Sequence, residues 1–474
     1  MDIPIFSFLH IVVICAIVLY SPNFKKIYLN NVTLLFFLEI INSQGYFIQL
    51  DNKEYEFHIV QLYIVFSLSL VFLVSNLRGK RRLVYSVFIF LFATLLSILN
   101  QGIFPYDGYI LPTELFSSDC SWDAYVTGKS VLYKYNFDLI QNITSYRRIC
   151  MYALVIYIMK VNIKLLDVYN IIENLLLGSF FIVLYGYFEM LLKNVLNMPM
   201  EAYKFNEVLL GVSHSTYTWE SASVLADGSY RLQGFTREPS HYVFSLLIFA
   251  TLILIAIRYH KLVNIITPQW YYIELAMILI LMPMTGGMSA IWCIFSLLIS
   301  YIFMDVKCNF NFSKILKWVF GFLAGIGMFF LLMGDSLLME RFLLALETVS
   351  FLISAPNILL SAGMDGSTLA RFTGIIVCFG NWLDNPLLGL GYGITKAYDF
   401  TMTMLVGNGV IGCGAWYHFI TTSGNGCKKY DHLLLLIIFC IEFLPTGSVG
   451  SWYTFSYIFL LAEATALYRS SEIL

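Results

Sequence analysis

Runs of about 20 mostly apolar residues recur along nearly the whole chain, and no other feature restricts its fold so strongly. A helix of about that length covers the roughly 30 Å hydrocarbon core of a bilayer. Within lipid, every backbone N–H and C=O must find its partner inside the protein, so repeated continuous runs imply a bundle of helices. A transmembrane β-barrel would need runs that alternate in polarity, and these do not. Composition agrees: 59% of the 474 residues are hydrophobic and 12% are charged, whereas soluble domains carry about one-quarter charged residues. The expected fold is therefore all-α, a single polytopic membrane domain over residues 1–474.

Spans are expected near residues 4–20, 32–50, 58–76, 83–99, 149–162, 172–194, 241–258, 268–286, 288–305, 315–334, 398–421, 432–446 and 449–468. That makes about 12 to 13 transmembrane helices. The run from Ile5 to Tyr20 has no basic residue before it and no small-residue cleavage site, so it reads as a first span rather than a signal peptide. Basic residues at Lys25-Lys26, Arg78 to Arg82, Lys160 and Lys164, Arg258 and Lys261, Lys307 to Lys317, and Lys428-Lys429 fall on alternate connections, which marks that side and the C-terminus as cytoplasmic. The side of the N-terminus stays open, because the run at 149–162 is short. The net charge of −2 offers no footprint for nucleic acid. Cysteines at 15, 150, 293, 378, 413 and 440 lie in apolar segments without a CxxC, as small core residues do.

Three long connections, about 100–148, 195–240 and 335–397, fall on the outer side. Long connections in compact domains tend to carry function. The second and third bear Arg231, Arg237, Arg341 and Arg371 on the side where arginine is disfavoured. The second closes with Arg231-Leu-Gln-Gly234-Phe-Thr-Arg237-Glu238-Pro239-Ser240, and proline is favoured at the first position of a helix. Two arginines beside an outward-facing helix N-terminus suit a phosphate; the plainer account is that they reach lipid headgroups and that Pro239 only starts a helix. The third holds Arg371-Phe-Thr-Gly and then Asn381-Trp-Leu-Asp384-Asn385-Pro386-Leu-Leu-Gly389-Leu-Gly391-Tyr-Gly393, whose alternate glycines permit a tight backbone path. No strand precedes them, so they are not a dinucleotide fingerprint. Pro283-Met-Thr285-Gly286-Gly287-Met-Ser289 makes a tight outer turn between two spans.

These segments together resemble the bacterial O-antigen polymerase family, which shares its outer-loop signatures with the O-antigen ligases. The matching positions are Arg231, Gly234, Glu238 and Pro239; Thr285 to Ser289; Arg371 with Asn385 to Gly393; and Leu405, Gly409 and Gly412, over roughly residues 200–420. Ligases commonly carry a His-Asn pair where this chain has Tyr398 and Asp399, which favours the polymerase. The resemblance implies a glycosyltransferase C-like bundle in the bacterial inner membrane with two large functional periplasmic loops. It implies transfer of a growing glycan from polyprenyl diphosphate to the non-reducing end of a fresh lipid-linked repeat unit. Partners would be an undecaprenyl-diphosphate-linked oligosaccharide, membrane lipids and a chain-length regulator protein.

The residue types suit that chemistry. Departure of a lipid diphosphate develops negative charge, which pre-placed guanidiniums stabilise; Arg231 and Arg371 are the candidates, with Arg237 assisting. Gly234, Pro239, Asn385, Pro386, Gly389 and Gly391 would shape the binding site. No ligand set in the outer loops calls for a metal or other cofactor. The acceptor hydroxyl needs a base, for which Glu238, His241 and Asp399 are candidates in that order; a helix cap at Glu238 and an interfacial His241 are equally good accounts. Glu39, Glu189, Glu274 and Glu442 lie inside apolar runs, as in proton-coupled carriers. Glu189 and Lys193 are spaced to pair on one helix face. A lipid-linked oligosaccharide flippase would be expected to show internal repeats and matched helix interruptions; neither is evident. The ligase alternative differs in its acceptor, the lipid A core.

Overall fold

The computed structural model describes residues 5–41, 46–50, 53–76, 81–110, 133–199, 201–202, 230–234, 236, 239–262, 266–285, 288–306, 375, 377–393, 399–423, 428–442 and 452–470. The span expected at 315–334, most of the third connection, and Arg237, Glu238, Arg371 and Tyr398 lie outside these residues.

The described chain is dominated by helices: α1 Ile5–Tyr20, α2 Phe24–Ile41, α3 Phe57–Asn76, α4 Arg81–Ile103, α5 Leu139–Asn162, α6 Leu165–Met190, α7 Pro239–Leu262, α8 Gln269–Met284, α9 Met288–Val306, α10 Phe400–Thr421, α11 His432–Ile437 and α12 Trp452–Ser470. Two π turns, Leu191–Val195 and Ile438–Glu442, extend α6 and α11. Two short antiparallel strand pairs accompany the helices, Tyr46–Leu50 with Lys53–Glu56 and Tyr109–Ile110 with Tyr133–Lys134.

Three helical stretches among the described residues are long and apolar enough to cross a bilayer: Arg81–Ile103, Leu166–Val195 and Pro239–Lys261. Shorter apolar helices accompany them. α7 is apolar all round and is buried nearly all round, as such a helix must be. It packs against α8, α9 and α12, while α4 packs against α5 and α10. α4 has the reverse of a soluble helix's faces. It exposes Val84, Tyr85, Phe88, Ile89 and Phe92 and buries Ser86, Thr94, Ser97 and Gln101. Polar groups turned inward beneath an apolar exterior are what a lipid solvent selects.

Two expected spans and one expected connection differ in the structure. The run at 32–50 does not continue as a helix: α2 covers Phe24–Ile41, and Tyr46–Leu50, rich in aromatic and branched residues, pairs as a strand. The run at 149–162 is the second half of a longer helix, because Asp138 caps α5 by accepting from the N–H groups of Ile140 (2.8 Å) and Gln141 (3.2 Å). The first connection therefore ends near residue 138, not 148. In the third connection, residues 377–384 are helical.

Two of the basic residues read as topology markers turn inward. Lys160 Nζ donates to the carbonyls of Ile420 (2.6 Å) and Thr422 (3.3 Å), closing the C-terminus of α10, and to Glu463 Oε1 at 3.2 Å. Lys428 holds the other oxygen of Glu463. With Tyr430 they form a buried cluster binding α5, α10 and α12 together.

Candidate functional site

The second connection ends in a corner built on α6. The π turn widens the end of that helix and brings Lys193 beneath Glu189 at 2.6 Å, with both side chains fully buried. A buried pair needs its remaining lone pairs and protons satisfied, and the Arg-x-x-Gly segment supplies the partners. Glu189 accepts from the N–H groups of Gly234 (2.7 Å) and Gln233 (3.3 Å), and Lys193 donates to the carbonyl of Arg231 (3.1 Å). Asn194 exchanges two bonds with the backbone of Tyr230, at 3.1 and 2.9 Å. Gly234 has φ +57°, and a Cβ there would lie inside the Tyr242 ring, so glycine is required on both counts.

Arg231 Nε donates to the carbonyl of Thr285 at 2.9 Å, and Leu232 N–H to that of Met284 at 3.4 Å. The Arg-x-x-Gly segment and the turn after α8, separate in the sequence, thus form one backbone junction. Pro239 opens α7 as expected, and His241 is half-buried in its first turn.

The alternate glycines of the third connection form a second cradle. α10 is broken at Gly409, with φ 62° and ψ −174°. A break of this kind orphans the carbonyls of 406 and 407 and the N–H groups of 410 and 411, which would pair in a continuous helix. Segment 386–391 satisfies all four. Leu390 N–H donates to Val406 O (2.6 Å) and Gly391 N–H to Gly407 O (2.9 Å), while Val410 N–H donates to Pro386 O (2.9 Å) and Ile411 N–H to Leu387 O (3.2 Å). The close approach of two backbones leaves no room for a Cβ at Gly389 (φ +72°) or Gly409. Asn385 starts the turn, its carbonyl accepting from Gly389 N–H at 3.0 Å.

α4 braces this insertion from outside. Ser97 Oγ donates to Gly407 O (2.6 Å) and accepts from Gly391 N–H (3.0 Å), and Gln101 donates to Gly389 O (3.1 Å). Tyr106, beyond the end of α4, places its hydroxyl 3.0 Å from Asn381 Oδ1 and 2.9 Å from Asp384 Oδ2. Burial, then the Asp384 carboxylate, push this phenol up to about 12, so it stays a donor at neutral pH. Asp384 itself is exposed at the lip of the glycine segment. It received no role from the sequence, although its place directly before Asn385-Pro386 is a signal that could have singled it out.

Asp399 is 1% exposed and caps α10, one oxygen accepting from Thr401 N–H (2.8 Å) and the other from Met402 N–H (3.2 Å). Both oxygens of this candidate base are thus engaged. Asp399→Asn is expected to keep one acceptor and most of the stability, whereas Asp399→Ala costs about 1 kcal/mol. Thermal unfolding of both variants checks this, and an inactive but stable Asn variant would return Asp399 to the chemistry.

The two cradles sit on different helices and are joined by shared neighbours. Thr401 donates to Phe439 O and Trp292 of α9 to Ile441 O, both at 3.0 Å, so the second π turn links α9 to the start of α10. On α12, Phe455 meets Phe400 (5.4 Å between ring centroids) and Tyr392 (6.4 Å), and Tyr457 meets Phe244 of α7 (5.4 Å). Of the other carboxylates in apolar runs, Glu274 is buried and accepts from Ser179 of α6, and Glu39 is buried in α2. α10 is interrupted once, at Gly409.

Comparison with known protein families, characterised proteins and solved structures finds no match to the chain.

Proposed function

We propose that this chain is a glycosyltransferase of the O-antigen polymerase kind. It would transfer a growing glycan from polyprenyl diphosphate onto a lipid-linked repeat unit at the outer face of the bacterial inner membrane, through about 12 to 13 spans. The observation that carries the reading is that the described parts of the segments giving the resemblance, 231–234 with Thr285 and 385–391 with 406–411, are built into two hydrogen-bonded cradles. Arg231, whose Nε is held on Thr285 O, would meet charge on a departing diphosphate. Arg371 supplies the second guanidinium and Arg237 assists. Glu238 and His241 remain the first candidates for taking the acceptor's proton, since Asp399 is engaged as a cap.

Deleting the protein in its host should leave surface glycolipid with a single repeat unit where the wild type displays a ladder of lengths. Arg371→Ala should lower polymer formation by about 10²- to 10³-fold while the protein inserts normally; a wild-type ladder on a silver-stained gel removes that arginine from the mechanism. A second reading, a lipid-linked oligosaccharide flippase, draws on the discontinuous α10, since broken helices line the sites of many carriers. Loss of every repeat on deletion would favour it.

A further inference from the structure

Arg147 and Arg148 belong to no motif in the sequence, yet the fold gives them an unusual position. Extension of α5 back to Leu139 makes them interior helix residues, and both are exposed. Their neighbour Tyr146 donates to the carbonyl of Leu91 at 3.2 Å. Leu91 is central in α4, a helix long and apolar enough to cross a bilayer, so Tyr146 ties this part of α5 to the side of a helix of spanning length. Among the described residues neither has a hydrogen-bond or ion-pair partner. An exposed guanidinium beside a spanning helix is costly unless an anion meets it, and residues so placed mark ligand paths more often than packing.

The glycine segment lies beside them. Ser145 occupies the space a side chain at Gly393 would need, and Arg148 is close enough to the Tyr392 phenol to act on it electrostatically. We infer that Arg147 and Arg148 bind the phosphate of a membrane lipid alongside the glycine segment. The guanidinium fork matches two phosphate oxygens, and it reaches them from a surface open to the bilayer, where lipid-borne phosphates are the available anions. The source is either the diphosphate of a polyprenyl carrier, which rests on the proposed polymerase reading, or the headgroup of an anionic phospholipid, which does not.

Full-length protein in detergent, titrated separately with undecaprenyl diphosphate and phosphatidylglycerol under native mass spectrometry, tests this. The wild type is expected to retain the diphosphate lipid, and Arg147→Gln with Arg148→Gln to weaken retention by roughly tenfold or more. Arg147→Lys with Arg148→Lys keeps the charge and should restore much of it, while gel filtration checks that both variants fold. Equal, arginine-dependent retention of phosphatidylglycerol supports the site with a headgroup as its occupant. Retention of both lipids by the Gln variant at wild-type strength overturns the inference. Failure of the polymerase reading appears elsewhere, in the host's glycolipid ladder.

Discussion

Gly409→Ala is expected to destabilise the full-length protein in detergent by about 3 kcal/mol or more, seen as a large fall in its thermal unfolding midpoint. Two effects add. The residue sits at φ 62°, ψ −174°, where a side chain costs about 1–3 kcal/mol. Its Cβ would also fall on the backbone of Leu387 and Leu388, which cannot step aside without giving up the bonds from Val410 and Ile411. Expelling segment 386–391 would in turn orphan four backbone groups in a dry interior. Gly414→Ala is the control, since a Cβ there meets nothing and the position is helical; it should be neutral or stabilise by about 0.5–1 kcal/mol. Equal midpoints for the two variants would mean that α10 is not held open by the glycine segment.

Glu189→Ala is expected to cost about 3–5 kcal/mol, because it removes the carboxylate that offsets the charge of the fully buried Lys193. It also removes the acceptor for Gln233 and Gly234, so the Arg231 carbonyl and side chain lose their fixed position. Stability and glycosyl transfer should fall together. Lys193→Met added to Glu189→Gln should recover much of the stability, since two apolar or neutral groups of similar volume replace the pair. A double-mutant cycle of Glu189→Gln, Lys193→Met and the two combined, read on unfolding midpoints, measures this. Additive losses, with no coupling beyond about 0.5 kcal/mol, would show that the pair acts as two independent residues.

The Glu189–Lys193 pair marks the limit of what was legible. Its i,i+4 spacing announces an ion pair on one face of α6, and the pair forms. Nothing in that spacing says that the Arg-x-x-Gly segment, some 40 residues later in the sequence, completes the coordination of both charges. The glycines at 389, 391 and 409 likewise announced freedom to bend. That the two glycine-bearing segments pair with each other was visible only once the broken helix exposed which four groups needed partners. Lys160 and Lys428 read as cytoplasmic markers because basic residues between apolar runs usually are; their inward turn depended on Glu463 in a distant helix.

The sequence by itself determined the helical, bilayer-facing character of the chain, the start of α7 at Pro239 and the turn at Thr285. Each follows from a local rule: apolar length, the fixed φ of proline, the freedom of glycine. Only the tertiary structure decided where α5 begins relative to α4, and so the place of Arg147 and Arg148 inside a helix beside α4, and which segment fills the break in α10. Those outcomes depend on satisfying backbone groups and charges that lipid will not solvate, and the partners that do so are distant in the chain.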